Sequence, residues 1–353
     1  MKVGITHGDL NGVNYEILLK LFEENRLAEL CTPVIYGSPR VAAWYRKTLN
    51  LPGAQFNVIE DITDVVDGEV NMLNIMGAAE PDIVPGVSTA EAGHAARVAL
   101  DRAVADLREG NIDVLVTAPV NKSNIQSPEF NFPGHTEYLE KELAEDGADK
   151  ALMILVSPRL KVAVATGHIP LKDVPGALSQ DMLLEKLRVF NRSLSLDFTL
   201  PHPHIAVLSL NPHSGDKGLL GDEEEKIIAP ALERAREEGI LAYGPFPADG
   251  FFGSGNYRHF DGVLAMYHDQ GLIPFKTIAM ENGVNFTAGL PYVRTSPDHG
   301  TGYDIAGKNR ASVESLREAI YAAIDIQRNR QRNLEAESNP LGKHYVTTPR
   351  ARD

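Results

Sequence analysis

Residues 162–168 read Val-Ala-Val-Ala-Thr-Gly-His, a short apolar run that ends in a small turn and a histidine. The same pattern returns at 205–213, Ile-Ala-Val-Leu-Ser-Leu-Asn-Pro-His, and at 262–268, Gly-Val-Leu-Ala-Met-Tyr-His. An apolar run of this length, bounded by turn residues, is typical of a strand buried on both faces. Ligands of open α/β sheets bind outside the carboxyl ends of such strands. We therefore expect His168, His213 and His268 to lie at a functional edge of a sheet.

Apolar runs alternate with amphipathic segments along most of the chain. The sequence predicts strands at 3–6, 34–37, 114–118, 153–157, 162–165, 205–210 and 262–266. It predicts helices at 90–108, 223–238 and 312–326, the last with Ser312 as its N-cap. Strands that alternate with helices indicate βαβ units, and so an α/β fold with a largely parallel sheet.

The chain length of 353 residues fits two lobes or one large α/β domain. Segments rich in turn residues at 128–133 and 199–203 are the candidate boundaries, although neither has the composition of a flexible linker. The polar tail after Gln327 is expected to pack loosely or fray.

Composition excludes several classes of partner. The formal net charge of -14 argues against non-specific nucleic-acid binding, because the phosphate backbone rewards clustered Lys and Arg. No apolar stretch approaches the roughly 20 residues that span a bilayer, and the first strand begins at once, which leaves no room for a signal peptide. The single cysteine, Cys31, excludes an internal disulfide framework and suits a reducing compartment. We expect a cytoplasmic protein with no nucleic-acid or membrane partner.

The three strand-end histidines form a candidate metal site. Their sequence spacing is too long for a zinc finger and suits ligands gathered from separate strands. Three imidazoles leave coordination positions open, as in catalytic sites, and favour zinc, cobalt, nickel or manganese over calcium. Asp269 and Gln270 follow His268 and could orient it or add ligands. The competing interpretation for any one of them is a half-buried histidine that only completes the packing of a strand end.

Anion-binding candidates lie around these histidines. His135 and Thr136 follow a Pro-Gly turn and open a helix, whose free N–H groups suit a phosphate or carboxylate. Lys276, Asn285 and Arg294 stand beside strand ends, where Arg can clamp an anion with two bonds. The glycine-rich loop 211–222 lets backbone approach a ligand. An empty helix cap, surface ion pairs and a purely structural loop are the respective alternatives.

The segment 296–308, Ser-Pro-Asp-His-Gly-Thr-Gly-Tyr-Asp-Ile-Ala-Gly-Lys, could line a nucleotide. No GxGxxG follows a strand, so a Rossmann fingerprint is not claimed. This segment resembles the nucleotide loop of the isocitrate and isopropylmalate dehydrogenase group. Further stretches resemble the 4-hydroxythreonine-4-phosphate dehydrogenase family; they are GHTE at 134–137, LNPHSG at 210–215, GPFPAD at 244–249, YHDQGL at 267–272 and NFTAGLPYVRTS at 285–296.

The resemblance implies an isocitrate/isopropylmalate dehydrogenase-like α/β/α fold with two lobes around a central cleft. We place lobe one at 1–130 plus 305–353 and lobe two at 131–304. The implied reaction belongs to pyridoxal phosphate biosynthesis. In it, 4-phosphooxy-L-threonine is oxidised with NAD, or NADP, and decarboxylated to 3-amino-2-oxopropyl phosphate.

The resemblance also implies roles for individual residues. A divalent metal, expected to be zinc with magnesium, manganese or cobalt as alternatives, would bind His168, His213 and His268 at the interface of a homodimer. Phosphorylated substrate would contact His135, Thr136, Lys276, Asn285 and Arg294. The nucleotide would contact Asp298, His299, Gly300, Thr301 and Asp304. Lys276 and Asp249 are the candidate catalytic residues, Asp249 as a proton acceptor or as an orienter of a metal-bound group.

Two departures from the family pattern bear on the substrate. Asn14 stands where the family has a glycine, and Gly167 precedes His168 where the family has Thr or Asn. An alternative substrate is therefore a phosphorylated sugar acid such as D-threonate or D-erythronate 4-phosphate. Two rival functions are a metal-dependent phosphate-ester hydrolase, since three histidines can activate water, and a non-catalytic binding protein for a phosphorylated ligand.

Overall fold

The computed structural model describes residues 1–24, 26–77, 82–128, 130–132, 134–144, 150–280 and 282–338. The strands are β1 Lys2–Thr6, β2 Thr32–Gly37, β3 Asn57–Ile59, β4 Asn71–Asn74, β5 Val114–Thr117, β6 Leu152–Val156, β7 Lys161–Thr166, β8 Ile205–Leu208, β9 Ala242–Phe246, β10 Gly262–Tyr267, β11 Val284–Ala288 and β12 Arg294–Pro297. They form one sheet in the order β3-β4-β2-β1-β5-β12-β11-β6-β7-β10-β8-β9.

The helices are α1 Asn14–Leu21, α2 Pro39–Leu49, α3 Ala90–Arg108, α4 His135–Leu143, α5 Val174–Ala177, α6 Gln180–Leu196, α7 Ala229–Glu237, α8 Ala248–Gly253, α9 His268–Ala279 and α10 Glu314–Ser338. Hydroxyl N-caps begin several of them: Thr89 accepts from the N–H of Ala92 at α3, and Ser179 accepts from that of Met182 at α6. The helix predicted at 90–108 is confirmed at both ends. The helix predicted at 223–238 begins as a π-helical turn, Glu224–Ile228, and continues as α7.

The sheet is mixed at its centre. β7, β10 and β8 are parallel neighbours, so their carboxyl ends share one edge as predicted. β11 pairs antiparallel with β12 and with β6, and β6 pairs antiparallel with β7. Only residues 157–160 separate β6 from β7. Because a parallel crossover needs a dozen or more residues, this short turn forces a hairpin, and the sequence contained that signal.

The two faces of the sheet are covered differently. Val3, Val116, Ile154 and Leu264 belong to one core cluster that runs along a single face and includes residues of α1, α2, α6, α7 and α10. On the opposite face two clusters share the cover. One lies under α3 and α4, and the other lies under α8 and α9. The alternation of side chains along each strand sends neighbouring residues to opposite faces.

The prediction of a loose tail is wrong for residues 328–338, because α10 continues to Ser338. Arg330 forms an ion pair with Asp197, with Nε 2.7 Å from Oδ1. Asn329 and Asn333 donate to the backbone carbonyls of Asp197 and Leu196 at the end of α6. The polar residues therefore complete the end of a neighbouring helix. Residues 339–353 lie outside the described part of the chain.

The predicted α/β class is confirmed. The sheet continues from one predicted lobe into the other, since β12 pairs parallel with β5. The lobe boundaries themselves stay a prediction. In the described part of the chain, none of the helices combines the length and the apolar character that crossing a membrane requires.

Candidate active site

A cavity of about 280 Å³ opens on the face of the sheet that the two smaller clusters share. Its floor comes from the centre of the sheet, and the side chains concerned are Thr117, Met153, Leu155, Asn285, Arg294 and Ser296. Asn285 lies between Val284 and Phe286, which face the core on the other side. Because the strand is pleated, alternate residues of the same strand face the cavity and the hydrophobic core.

The walls come from the ends of the surrounding elements. α4 contributes His135 and Thr136 from its first turn, and the segment after β7 contributes His168. α9 contributes His268 and Lys276, and the loop after β12 contributes Asp298, His299 and Gly300. Most of the predicted site residues are thereby brought together in one cavity.

Arg294 is the dominant charge at the floor. It is 2 % exposed, and burial lowers its pKa to about 9. Its guanidinium donates to the Thr117 hydroxyl from Nε and Nη2, at 3.0 and 2.6 Å, and to the Thr287 hydroxyl from Nη1 at 3.0 Å. No ion pair joins it to a carboxylate in the described ranges. The Glu137 carboxylate acts on this cation only through space, and the hydrogen-bond partners of the cation are hydroxyls, so the desolvated charge favours an anionic ligand in direct contact.

Several buried polar atoms around the cavity also lack partners. Among the residues described, His135 Nε2, Asn285 Oδ1 and His299 Nε2 form no hydrogen bond. Burial, together with the nearby Arg294, holds the pKa of His135 well below its usual value, and burial lowers that of His299. Both imidazoles are therefore neutral at pH 7. Unsatisfied buried donors and acceptors at one cavity are typical of a site whose partner is a ligand.

His168 and His268 lie side by side, with ring centroids 5.6 Å apart. A carboxylate stands beside Nδ1 of each: Glu137 Oε1 at 3.4 Å from His168, and Asp269 Oδ1 at 2.7 Å from His268. A carboxylate at Nδ1 fixes the tautomer and directs Nε2 toward a metal or substrate. The pair thus has the chemistry of two metal ligands with oriented rings.

Lys276 and Asp298 form an ion pair at the opening of the cavity, with Nζ 3.3 Å from Oδ1. The Asp298 side chain is 12 % exposed, and burial raises its pKa although Lys276 opposes that shift. Both residues line the cavity, so the pair can exchange a proton with a bound ligand.

Four predicted residues lie outside the cavity lining. His213 is exposed in a short helical turn, Pro212–Gly215, with φ of 53°. Asp249 is exposed at the start of α8. The backbone carbonyl of Thr301 accepts from Val13 N, and Asp304 is exposed. In the described part of the chain, no three His, Cys, Asp or Glu side chains converge as a metal site. One chain therefore supplies His168 and His268 together, and does not bring His213 to them.

The sequence analysis did not predict three residues that line the cavity or hold its side chains. Thr117 holds Arg294, Glu137 stands beside His168, and Lys122 lines the cavity. Glu137 belongs to the quoted GHTE stretch, so its position next to a helix start was a usable signal. Thr117 ends an apolar strand, and only the pairing of β5 with β12 reveals its partner.

Comparison with known proteins places this geometry in a family. Residues 29–323 match the family model described as pyridoxal phosphate biosynthetic protein PdxA. The 4-hydroxythreonine-4-phosphate dehydrogenase of Bacteroides thetaiotaomicron is 54% identical over 347 residues, which cover 98% of this chain and 94% of that protein. The chain belongs to the PdxA family.

Solved structures support this membership. A 4-hydroxythreonine-4-phosphate dehydrogenase from Klebsiella pneumoniae superposes with a TM-score of 0.78 at 34% identity, covering 92% of this chain and 99% of that one. A terephthalate 1,2-cis-dihydrodiol dehydrogenase from Burkholderia xenovorans reaches 0.59 at 26% identity, covering 92% and 98%. Named PdxA relatives are dehydrogenases, so this member is an oxidoreductase enzyme.

Proposed function

We propose that this PdxA-family member oxidises the carbinol of 4-phosphooxy-L-threonine with NAD, or NADP, in a reaction that requires a divalent metal. The resulting β-keto acid loses carbon dioxide and gives 3-amino-2-oxopropyl phosphate. The observation that carries the proposal is Arg294, a buried guanidinium that forms no ion pair in the described ranges, in the same cavity as the His168–His268 pair. A ligand with a strong anionic group and a metal-binding hydroxyl satisfies both features.

The substrate's anionic groups have matching partners in the cavity. Arg294 offers a charged donor at the floor, and the first turn of α4 offers His135 and Thr136 with free backbone N–H groups. His135, held neutral by burial, has an unpaired Nε2 for a further hydrogen bond. These groups fix the phosphate and the carboxylate, and so orient the carbinol carbon.

The residues fit a divalent metal as far as one chain goes. His168 and His268 present two imidazoles whose Nδ1 atoms are held by carboxylates, which leaves both Nε2 atoms free. When bound there, zinc or a related cation lowers the pKa of the substrate hydroxyl and stabilises negative charge on that oxygen. Two histidines leave positions open for substrate and for a third protein ligand.

The proton of the hydroxyl passes to the Lys276–Asp298 pair. Asp298 lines the cavity, and its raised pKa makes it a better proton acceptor than an exposed carboxylate. Next to this pair, His299 and Gly300 begin the loop that receives the dinucleotide, which supplies the hydride acceptor. Asp249 is too exposed in one chain for the role of base, so its contribution depends on a second subunit.

We place the third metal ligand on a second copy of the chain. His213 is exposed and does not join His168 and His268 within one chain. A homodimer in which the partner presents its equivalent histidine completes three imidazoles at each cavity. In that arrangement His268 stays with its own chain, where it lies beside His168.

NADH formation with a panel of substrates tests the proposal. Purified protein is given NAD or NADP with 4-phosphooxy-L-threonine, D-threonate 4-phosphate or D-erythronate 4-phosphate, each with and without a chelator followed by zinc. We expect NADH and carbon dioxide from the amino acid, loss of both on chelation, and recovery with metal. Turnover of the sugar acids alone would replace the substrate and keep the site. Phosphate release without NADH would favour the hydrolase.

A further inference from the structure

Three loops meet at the edge of the sheet where β1, β5 and β12 end. These strands are parallel neighbours, so the segments after Thr6, Thr117 and Pro297 leave at the same edge. The segment after Pro297 lines the cavity with Asp298, His299 and Gly300 before it turns away. The position of this segment therefore depends on what it packs against.

Asp9 is the buried centre of this meeting point. Its carboxylate is wholly inaccessible to solvent and accepts hydrogen bonds from three directions. Asn11 N donates to Oδ1 at 2.9 Å, and Asn124 Nδ2 and the Tyr303 hydroxyl donate to Oδ2 at 2.8 and 2.6 Å. Each loop supplies one donor. A buried carboxylate depends on such donors, because losing one leaves a charge undersolvated.

The loop after β12 is attached at a second point as well. Val13 N donates to the carbonyl of Thr301 at 2.9 Å. A Cβ on Gly12 would lie 2.5 Å from that carbonyl oxygen, so only glycine permits this close approach. Thr301 and Tyr303 thus bind the N-terminal loop on alternate residues, directly after the segment that lines the cavity.

Tyr303 links all three loops through one hydroxyl group. It donates to Asp9 and also accepts from Asn121 Nδ2 at 3.2 Å, and Asn121 in turn reaches Ser88 Oγ at 3.1 Å. Burial and the Asp9 carboxylate both raise the pKa of Tyr303, so the hydroxyl keeps its proton at neutral pH.

We infer that the Tyr303–Asp9 hydrogen bond is a latch that holds segment 298–304 in the shape that receives the dinucleotide. Tyr303 is then a positioning residue, and its loss weakens dinucleotide binding while the metal and phosphate sites stay intact. The inference rests on the proposed function for its ligand. Its structural half, the fixing of the segment by the latch, stands independently of any activity.

The test compares Tyr303→Phe with Tyr321→Phe. The second variant is the control, since it also removes a tyrosine hydroxyl, but from α10 and outside the three loops. We expect the KM and Kd for NAD to rise on the order of tenfold in Tyr303→Phe, as for loss of a hydrogen bond to a charged group. The Kd for phosphorylated substrate should change less than about twofold, because Arg294, His135 and Thr136 lie outside segment 298–304. An Asp9→Asn variant and the double variant complete a cycle, in which the two changes should be strongly non-additive.

Amide hydrogen exchange of the ligand-free protein separates the two halves of the inference. Peptides covering 298–304 should exchange on the order of tenfold faster in Tyr303→Phe than in Tyr321→Phe. Unchanged protection there, or an unchanged Kd for NAD in an enzyme that uses NAD, would overturn the latch and leave the proposed function standing. Faster exchange in a protein that forms no NADH with any substrate would instead support the latch and reject the proposed function.

Discussion

The imidazoles of His168 and His268 face each other across two neighbouring parallel strands, with ring centroids 5.6 Å apart. His213 follows the next strand, β8, yet stays exposed. One chain therefore holds two of the three expected ligands, and the proposed homodimer would supply the third.

Hybrid dimers test this arrangement. His213→Ala and Arg294→Met are each expected to lower activity in homodimers by about a hundredfold or more. In a hybrid dimer, the cavity of the His213→Ala chain receives the partner's intact histidine and is complete. Mixing equal amounts under exchange conditions should restore about a quarter of wild-type activity, since half of the dimers are hybrid and each has one intact site. No restoration, with hybrids confirmed by mass spectrometry, would place His213 in its own chain's site. Metal content should be full in Arg294→Met homodimers and lowered in His213→Ala homodimers, because Arg294 is not among the expected metal ligands.

Arg294→Met separates binding from stability. The kcat/KM for phosphorylated substrate should fall on the order of a hundredfold or more, because the anion loses its buried partner. The free energy of unfolding should fall by less than about 1 kcal/mol, since a buried cation without a carboxylate partner contributes little to folding. Urea denaturation and initial-rate kinetics check both values, and a large loss of stability would mean that the guanidinium has a structural role.

Arg330→Met should show the reverse behaviour. Its ion-pair partner, Asp197, has a side chain only 4% exposed, so the substitution leaves a buried carboxylate with a hydrogen bond from Ser193 but without a countercharge. We expect a loss of about 3–5 kcal/mol in the free energy of unfolding, with kcat/KM unchanged in the folded fraction. Arg317→Met, which removes a partly exposed pair with Glu314 on the same helix, is the control and should cost about 0.5 kcal/mol or less.

His7 should make stability depend on pH. Its side chain is fully buried, and burial lowers its pKa from 6.5 to about 4. The unfolded chain therefore binds a proton below pH 6.5 that the folded chain binds only near pH 4. Stability is complete above pH 6.5 and is lost as the pH falls toward 4, by about 3 kcal/mol for this group.

His7→Asn isolates this contribution, because His135 shifts in the same direction and stays in both proteins. As the pH falls from 7 to 4.5, the free energy of unfolding should fall more in the wild type than in the variant, because only the wild type has His7 to protonate. A difference that stays constant over this range would show that His7 does not titrate on unfolding.

The sequence predicts those elements whose structure depends on residues close together along the chain. Helix 90–108 has periodicity and a capping threonine inside the chain segment itself, and the strand-end histidines share a pattern that the sheet confirms. β11 and β12 escaped residue-level prediction because neither has a continuous apolar run: polar and apolar residues alternate in Val284–Phe286, and Arg294–Ser296 are all polar. The antiparallel turn after β6 was readable from its length alone.

Other relationships in the site arise between elements distant along the chain. Arg294 meets Thr117 only because β12 lies beside β5, and Tyr303 meets Asp9 only because β1 is the next strand. No spacing rule relates such residues. The resemblance to a known family predicts Arg294 as a substrate contact, whereas its hydroxyl partners became visible only in the folded chain.

The alternation along the central strands has a consequence for how such an enzyme changes its substrate. On β11 and β12, residues such as Phe286 and Thr295 face the helices that hold the fold together, while Asn285 and Arg294 face the ligand. The ligand-facing residues of these strands can therefore be substituted during evolution while the residues that pack against the helices stay the same. Dehydrogenases named for 4-hydroxythreonine 4-phosphate and for the 1,2-cis-dihydrodiol of terephthalate share this architecture, which agrees with a scaffold that is kept while the substrate changes.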